Sequence, residues 1–194
     1  STLCPYTTLF RSLACALLPA CSDSSEEAAP YASVDRLERQ LELRDQADLI
    51  ARMALPDSTL AAFTTDGCSG GLSVGWEYLA EEIEDVRNYH GTRPPWENCC
   101  IEHDRLYHAG AAIDATVEES FEARKQADLA LLACVVETGD TRTTELSREY
   151  EVSLQTVHIL YSTIAELMYR AVRIGGVPCS GLPWRWGYGW PQCG

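Results

Sequence analysis

Two adjacent cysteines, Cys99 and Cys100, constrain the fold more than any other feature of the sequence. They lie within residues 96–107, which predict a helix that begins at Trp96, because the two prolines directly before it cannot extend a helix backwards. Neighbouring side chains on a helix point about 100° apart. The two cysteines therefore cannot easily pair with each other, and we expect them to tie one helix to two different partners.

The same helix carries polar residues one turn further on. His103 shares a face with Cys99, while Asp104 and Tyr107 share the neighbouring face with Cys100. Covalent anchors on both sides would hold His103 and Asp104 rigidly, which is a requirement for a pair of catalytic groups.

Cysteine usage favours an exported protein. The region after residue 33 contains an even number of cysteines, which suggests three disulfides. Free or metal-binding thiols are the alternative, but no pair has the Cys-x-x-Cys spacing that zinc sites favour. The six cysteines are Cys68, Cys99, Cys100, Cys134, Cys179 and Cys193.

The N-terminal part of the sequence is interpreted separately. Residues 1–12 resemble translated adapter sequence and are excluded from fold reasoning. Residues 13–32 combine a signal-like apolar run, a lipobox-like Leu-Pro-Ala-Cys that ends at Cys21, and a polar, acidic tether. We expect an exported protein, anchored through lipid on Cys21 in a bacterial envelope or secreted. A plain secretory signal and a chance apolar run are the alternatives. The folded domain is then predicted to span residues 33–194.

Charge and periodicity narrow the remaining possibilities. The 194-residue chain carries a formal charge of -14, which argues against nucleic acid as a partner but suits a local cation site rich in oxygen. Apolar residues recur at helical spacing within residues 34–53, 114–136 and 144–174. Ser33 is expected to cap the first of these helices and Asp114 the second. The predicted fold is mainly α, with an extra long C-terminal helix.

The chain ends in a loop rich in tryptophan. Its aromatic residues either cap the helical core or form a surface at the boundary of lipid and water, where Trp and Tyr are favoured. In the second case Arg185 would contact lipid headgroups. The aromatic residues are Trp184, Trp186, Tyr188 and Trp190.

Three segments together resemble one protein family. Residues 99–107 (Cys-Cys-x-x-His-Asp-x-x-Tyr) are similar to the active-site helix of secreted phospholipases A2. Asp128 and Cys134, on a later helix, match the aspartate and cysteine that face that helix in the family. Residues 65–68 (Thr-Asp-Gly-Cys) look like the calcium loop of bacterial and fungal members. The resemblance covers roughly residues 63–134, and it implies a fold of disulfide-pinned helices of phospholipase A2-like type.

The resemblance implies a reaction and the residues that perform it. His103 would be the general base, taking a proton from the water that attacks the sn-2 ester of a phospholipid. Asp128 would orient His103, and Tyr107 would bond to Asp128. Ca²⁺ would polarise the ester carbonyl. Its implied ligands are Asp104, Asp66 and backbone oxygens near Gly67, Ser69 and Gly71. The implied disulfides are Cys68–Cys100 and Cys99–Cys134, which leaves Cys179 to pair with Cys193.

Other interpretations of these residues were considered. A non-catalytic lipid-binding or structural envelope lipoprotein could keep the same scaffold. A serine hydrolase is a third alternative, ranked below the other two. Asp66 could simply cap a turn beside Gly67. A metal cluster of Glu102, His103 and His108 matches no strong zinc motif.

Overall fold

A computed structural model of the chain describes residues 28–68, 78, 80–82 and 84–194. The chain divides into two compact units, Ser1–Leu37 and Glu38–Gly194. The contacts given below are all within the second unit.

The architecture is mainly helical, as the sequence predicts. No strand occurs within the described ranges. None of the helices found there combines the length and the apolar character that crossing a bilayer requires. The helices are α1 (Ala28–Met53), α2 (Glu84–His90), α3 (Glu97–Ala109), α4 (Val117–Glu149) and α5 (Leu154–Gly175).

The boundaries of α1 and α4 differ from their predicted positions. α1 begins at Ala28, ahead of the expected cap at Ser33. α4 is capped by Thr116 rather than Asp114, because the Thr116 side chain accepts from the backbone N–H of Glu119 and the Glu119 side chain accepts in return. α4 also continues well beyond Val136, the predicted end.

The polar second half of α4 is stabilised by packing against α5. Gly139 lies where a Cβ would come within 2.4 Å of the Tyr161 side chain, so its backbone lies directly against that ring. The chain leaves α4 after Glu149, and Ser153 caps α5 by accepting from the N–H of Thr156. The predicted helix over residues 144–174 is therefore split between α4 and α5. Tertiary packing, rather than local propensity, decides where these helices end.

The three expected disulfides are present. Cys68 is bonded to Cys100, Cys99 to Cys134, and Cys179 to Cys193. The first bond joins the loop after α1 to α3, and the second joins α3 to α4. The adjacent cysteines thus connect one helix to two different parts of the chain.

The C-terminal loop caps the helices. Trp186 and Trp190 are buried, and Trp190 Nε1 donates to the carbonyl of Ala109 at the end of α3. Arg185 is also buried and donates to the carbonyl of Trp190. The prediction that Arg185 contacts headgroups at the surface is therefore wrong, whereas Trp184 keeps 38% of its surface exposed.

Candidate active site

The packing of α3 against α4 brings His103 and Asp128 together. His103 Nε2 lies 2.9 Å from Asp128 Oδ1, and both side chains are buried. A carboxylate accepts hydrogen bonds, so this contact places the proton of a neutral imidazole on Nε2. The other ring nitrogen, Nδ1, is then a free acceptor. Two residues separated by 25 positions thus form the histidine–aspartate pair that the sequence predicts.

Tyr107 completes the arrangement around Oδ1 of Asp128. Its hydroxyl donates to that oxygen at 2.7 Å, and its ring lies 4.1 Å from the His103 ring, centroid to centroid. Burial raises the pKa of Tyr107 well above its ordinary value. The phenol therefore stays protonated and acts as a donor to Asp128, the role expected for it.

Two arginines near Asp128 were not predicted as site residues. Arg173 Nη1 donates to Asp128 Oδ2 at 2.9 Å, and Arg124 Nε donates to the Tyr107 hydroxyl at 3.0 Å. Burial alone would raise the pKa of Asp128, but the hydrogen bond from His103, the charge of Arg124 and the bonds from Tyr107 and Arg173 together lower it. Asp128 is therefore ionised at neutral pH.

Glu42 of α1 forms ion pairs with both arginines. Its Oε2 accepts from Arg173 Nη2 at 2.6 Å. Its Oε1 lies 2.6 Å from Arg124 Nη1, an ion pair without hydrogen-bond geometry. Arg124 and Asp128 are four residues apart on one helix, a spacing from which their proximity was predictable. No local spacing connects Glu42 or Arg173 to Asp128, so sequence reasoning missed both.

Asp104 lies beside His103 and faces a different neighbour. Its Oδ2 accepts a hydrogen bond of 2.5 Å from the Thr65 hydroxyl. Burial raises the pKa of Asp104 to about 6, although Thr65 and His103 oppose the increase. Within the described part of the chain no basic side chain lies within 4.0 Å of this carboxylate. A buried carboxylate in such surroundings favours a bound cation.

Asp66 and Asp104 line the same cleft. This Asp104 cleft is also lined by Thr64, Thr65 and Trp184. The structure thus brings together two of the predicted calcium ligands, and Gly67, a third, follows Asp66 directly. Ser69 and Gly71 lie outside the described residues.

A second cleft, the His103 cleft, opens at His103. Asp104 and Trp184 line both clefts, so the two clefts adjoin. The arrangement exposes a histidine, oriented by an ionised aspartate, to an apolar space beside an acidic cleft. Its apolar wall consists of Leu131, Met168, Ala171, Val172 and Trp184.

The alternative metal cluster has no support in the geometry. No group of three or more His, Cys, Asp or Glu side chains in the described ranges is arranged to hold a metal ion. Glu102, one of its proposed members, has a largely exposed side chain, whereas His103 and His108 are buried. No protein-family model matches the chain, and neither a curated protein nor a solved structure matches it.

Proposed function

We propose that this protein is a calcium-dependent hydrolase that releases a fatty acid from the sn-2 ester of a phospholipid. The observation that carries the proposal is the contact between His103 Nε2 and Asp128 Oδ1, which leaves Nδ1 as an acceptor beside an apolar cleft. An imidazole oriented in this way next to an apolar wall is the arrangement required of a general base. The sn-2 position and the phospholipid come from the resemblance to phospholipases A2.

The chain supplies a complete route for one proton. Nδ1 of His103 takes a proton from water as the water oxygen attacks the ester carbonyl carbon. The Nε2–H bond to Asp128 is kept, and the ionised carboxylate stabilises the imidazolium that forms. When the bond between the carbonyl carbon and the alcohol oxygen breaks, the imidazolium returns the proton to that oxygen. The products are a fatty acid and a lysophospholipid.

The proposed calcium ligands fit the ion chemically. Asp104 and Asp66 both line the Asp104 cleft, and Gly67, which lines the adjoining His103 cleft, would add a backbone carbonyl. Hard oxygen donors are what Ca²⁺ prefers, and the raised pKa of Asp104 is typical of a buried carboxylate that a cation would stabilise. When bound, the ion supplies positive charge that polarises the ester carbonyl.

The apolar wall of the His103 cleft suits an acyl chain. Leu131 of α4 and Met168 of α5 line it, and Trp184 of the C-terminal loop lines both this cleft and the Asp104 cleft. We place the acyl chain against this wall and the phosphate end of the lipid towards Asp104. Three disulfides support export. The lipid anchor on Cys21 remains a proposal, because Cys21 lies outside the described residues.

The test measures fatty-acid release from phosphatidylcholine vesicles in buffered Ca²⁺ and after chelation with EGTA. We expect hydrolysis only with Ca²⁺, and we expect His103→Gln to remove it. His158→Gln is the matched control, because His158 also pairs with an aspartate, Asp140, at 3.0 Å, but both side chains are more than half exposed.

The outcome separates the enzyme from a lipid-binding protein on the same scaffold. Activity that survives both EGTA and His103→Gln would contradict the mechanism. Vesicle binding without hydrolysis by the unaltered protein would favour the non-catalytic alternative. A loss of activity in His158→Gln equal to that in His103→Gln would show that the loss does not come from the His103–Asp128 pair.

A further inference from the structure

Arg173 connects the proposed catalytic aspartate to the first helix. Its Nη1 donates to Oδ2 of Asp128 at 2.9 Å, and its Nη2 donates to Oε2 of Glu42 at 2.6 Å. A guanidinium is planar and rigid, so fixing one nitrogen also fixes the direction of the other. The side chain of Arg173 is only 21% exposed, which limits the alternative positions open to it.

Arg173 binds the oxygen of Asp128 that the other partners leave available. His103 and Tyr107 both use Oδ1, whereas Arg173 uses Oδ2. Arg124 Nε is 4.0 Å from Oδ2, too far for a strong hydrogen bond. Arg173 therefore helps to keep the Asp128 carboxylate from rotating about its Cβ–Cγ bond. Such a rotation would lengthen the hydrogen bond from His103 Nε2.

Glu42 in turn holds Arg173. Glu42 is 6% exposed, and Gln46 donates a hydrogen bond of 3.1 Å to its other oxygen, Oε1. Without Glu42, an arginine near the surface would gain freedom to turn towards solvent. Gln46 thus holds Glu42 through a hydrogen bond. Glu42 holds Arg173, and Arg173 holds Asp128.

We propose that Arg173 is a positioning residue for the His103–Asp128 pair and that Glu42 keeps Arg173 in place. The inference rests on the proposed function for its effect on rate, but not for its effect on the imidazole. A loosened Asp128 accepts less firmly from Nε2. The imidazole then spends more time with its proton on Nδ1, and in that tautomer Nδ1 cannot accept a proton from water.

The test compares three variants of the full chain. Arg173→Met removes the charge and keeps an unbranched side chain against Phe121, whose ring the guanidinium approaches at 5.6 Å. Arg173→Lys keeps the positive charge but loses the planar guanidinium, which donates to Asp128 and Glu42 through two separate nitrogens. Arg170→Met is the matched control, since Arg170 is on the same helix, is 74% exposed and has only a 3.8 Å pair with Glu166.

Two readouts are used at one fixed pH of about 8. Nitrogen-15 NMR of the imidazole reports the tautomer of His103, and fatty-acid release gives kcat and KM. For Arg173→Met we expect a mixed tautomer and a kcat lowered by about tenfold, with KM nearly unchanged. Arg173→Lys should lie between Arg173→Met and the unaltered protein, and Arg170→Met should match the unaltered protein in both readouts.

A purely structural role would give a different result. If Arg173→Met lowers Tm but leaves the tautomer and kcat unchanged, the proposal is overturned. If Arg173→Met does not fold, Arg173→Lys decides, and an unaltered tautomer and kcat there overturn the proposal as well. If the unaltered protein hydrolyses no lipid, the proposed function fails, whereas a tautomer change in Arg173→Met still supports the positioning role.

Discussion

The hydroxyl of Thr65 donates a 2.5 Å hydrogen bond to Oδ2 of Asp104, and this contact links the loop after α1 to the helix that carries His103. This hydrogen bond also partly offsets the effect of burial on Asp104, whose pKa is raised to about 6. A substitution that removes the charge of Asp104 but keeps an oxygen that accepts from Thr65 therefore measures the free-energy cost of burying the charge separately from the hydrogen bond.

We expect Asp104→Asn to stabilise the calcium-free protein at pH 7.5. Because the folded-state pKa of Asp104 is raised from 3.8 to about 6, its ionisation lowers stability as the pH rises between those values, and the loss is complete above pH 6. The gain at pH 7.5 should be at most about 3 kcal/mol. Urea unfolding at pH 7.5 and below pH 4 measures it, and the difference should disappear in acid.

Saturating Ca²⁺ provides the complementary measurement for Asp104→Asn. A cation that binds only the folded state raises its stability, so the unaltered protein should gain more than the variant. An equal gain in Tm for both proteins would argue against Asp104 as a ligand.

We expect Asp128→Asn to lower kcat by at least about 100-fold with little effect on KM. The asparagine amide can present a donor to Nε2, which favours the tautomer with the proton on Nδ1. Asp140→Asn is the control, because Asp140 pairs with the exposed His158. Steady-state kinetics on phospholipid vesicles test the expectation, and comparable losses in both variants would contradict it.

Gly139 is required where α4 meets α5. An added methyl group would lie 2.4 Å from Tyr161 atoms, so Gly139→Ala should destabilise the protein by about 1–3 kcal/mol. Combining it with Tyr161→Leu should give a penalty smaller than the sum of the two single changes, because the clash is relieved. Thermal unfolding of the three variants decides between coupling and simple additivity.

The Cys68–Cys100 bond holds the loop of Asp66 against α3. Its cysteines are 32 positions apart, and replacing both with alanine should cost about 3–4 kcal/mol of stability. We also expect weaker Ca²⁺ binding, since Asp66 and Gly67 lose their attachment beside Asp104. Replacing Cys179 and Cys193 should lower stability but leave the Ca²⁺ affinity unchanged, which isothermal titration calorimetry can measure.

Local patterns predicted the parts of the structure that local forces determine. The prolines before Trp96 and the left-handed Gly110 (φ 67°) bound α3 near its expected limits. The resemblance then predicted that His103 and Asp128 meet and implied two of the disulfides, Cys68–Cys100 and Cys99–Cys134, which left Cys179 and Cys193 as the third pair. Each of these depends on spacing within one helix or on a motif with few alternatives.

Long-range packing determined what the sequence did not reveal. The continuation of α4 past Val136 depends on the fit of Gly139 to Tyr161. The contact of Glu42 with Arg173 joins residues 131 positions apart. Neither follows from periodicity or from a motif, because each partner is defined only once the helices are in place.

The charges buried around Asp128 also limit how this chain can change. Two guanidinium groups, Arg124 and Arg173, face two carboxylates, Glu42 and Asp128. Replacing any one of the four with an uncharged residue leaves an unmatched charge away from water, which typically costs about 3–5 kcal/mol. Among relatives of this protein these four positions should therefore co-vary, and α1 should be inherited together with the histidine site rather than exchanged independently.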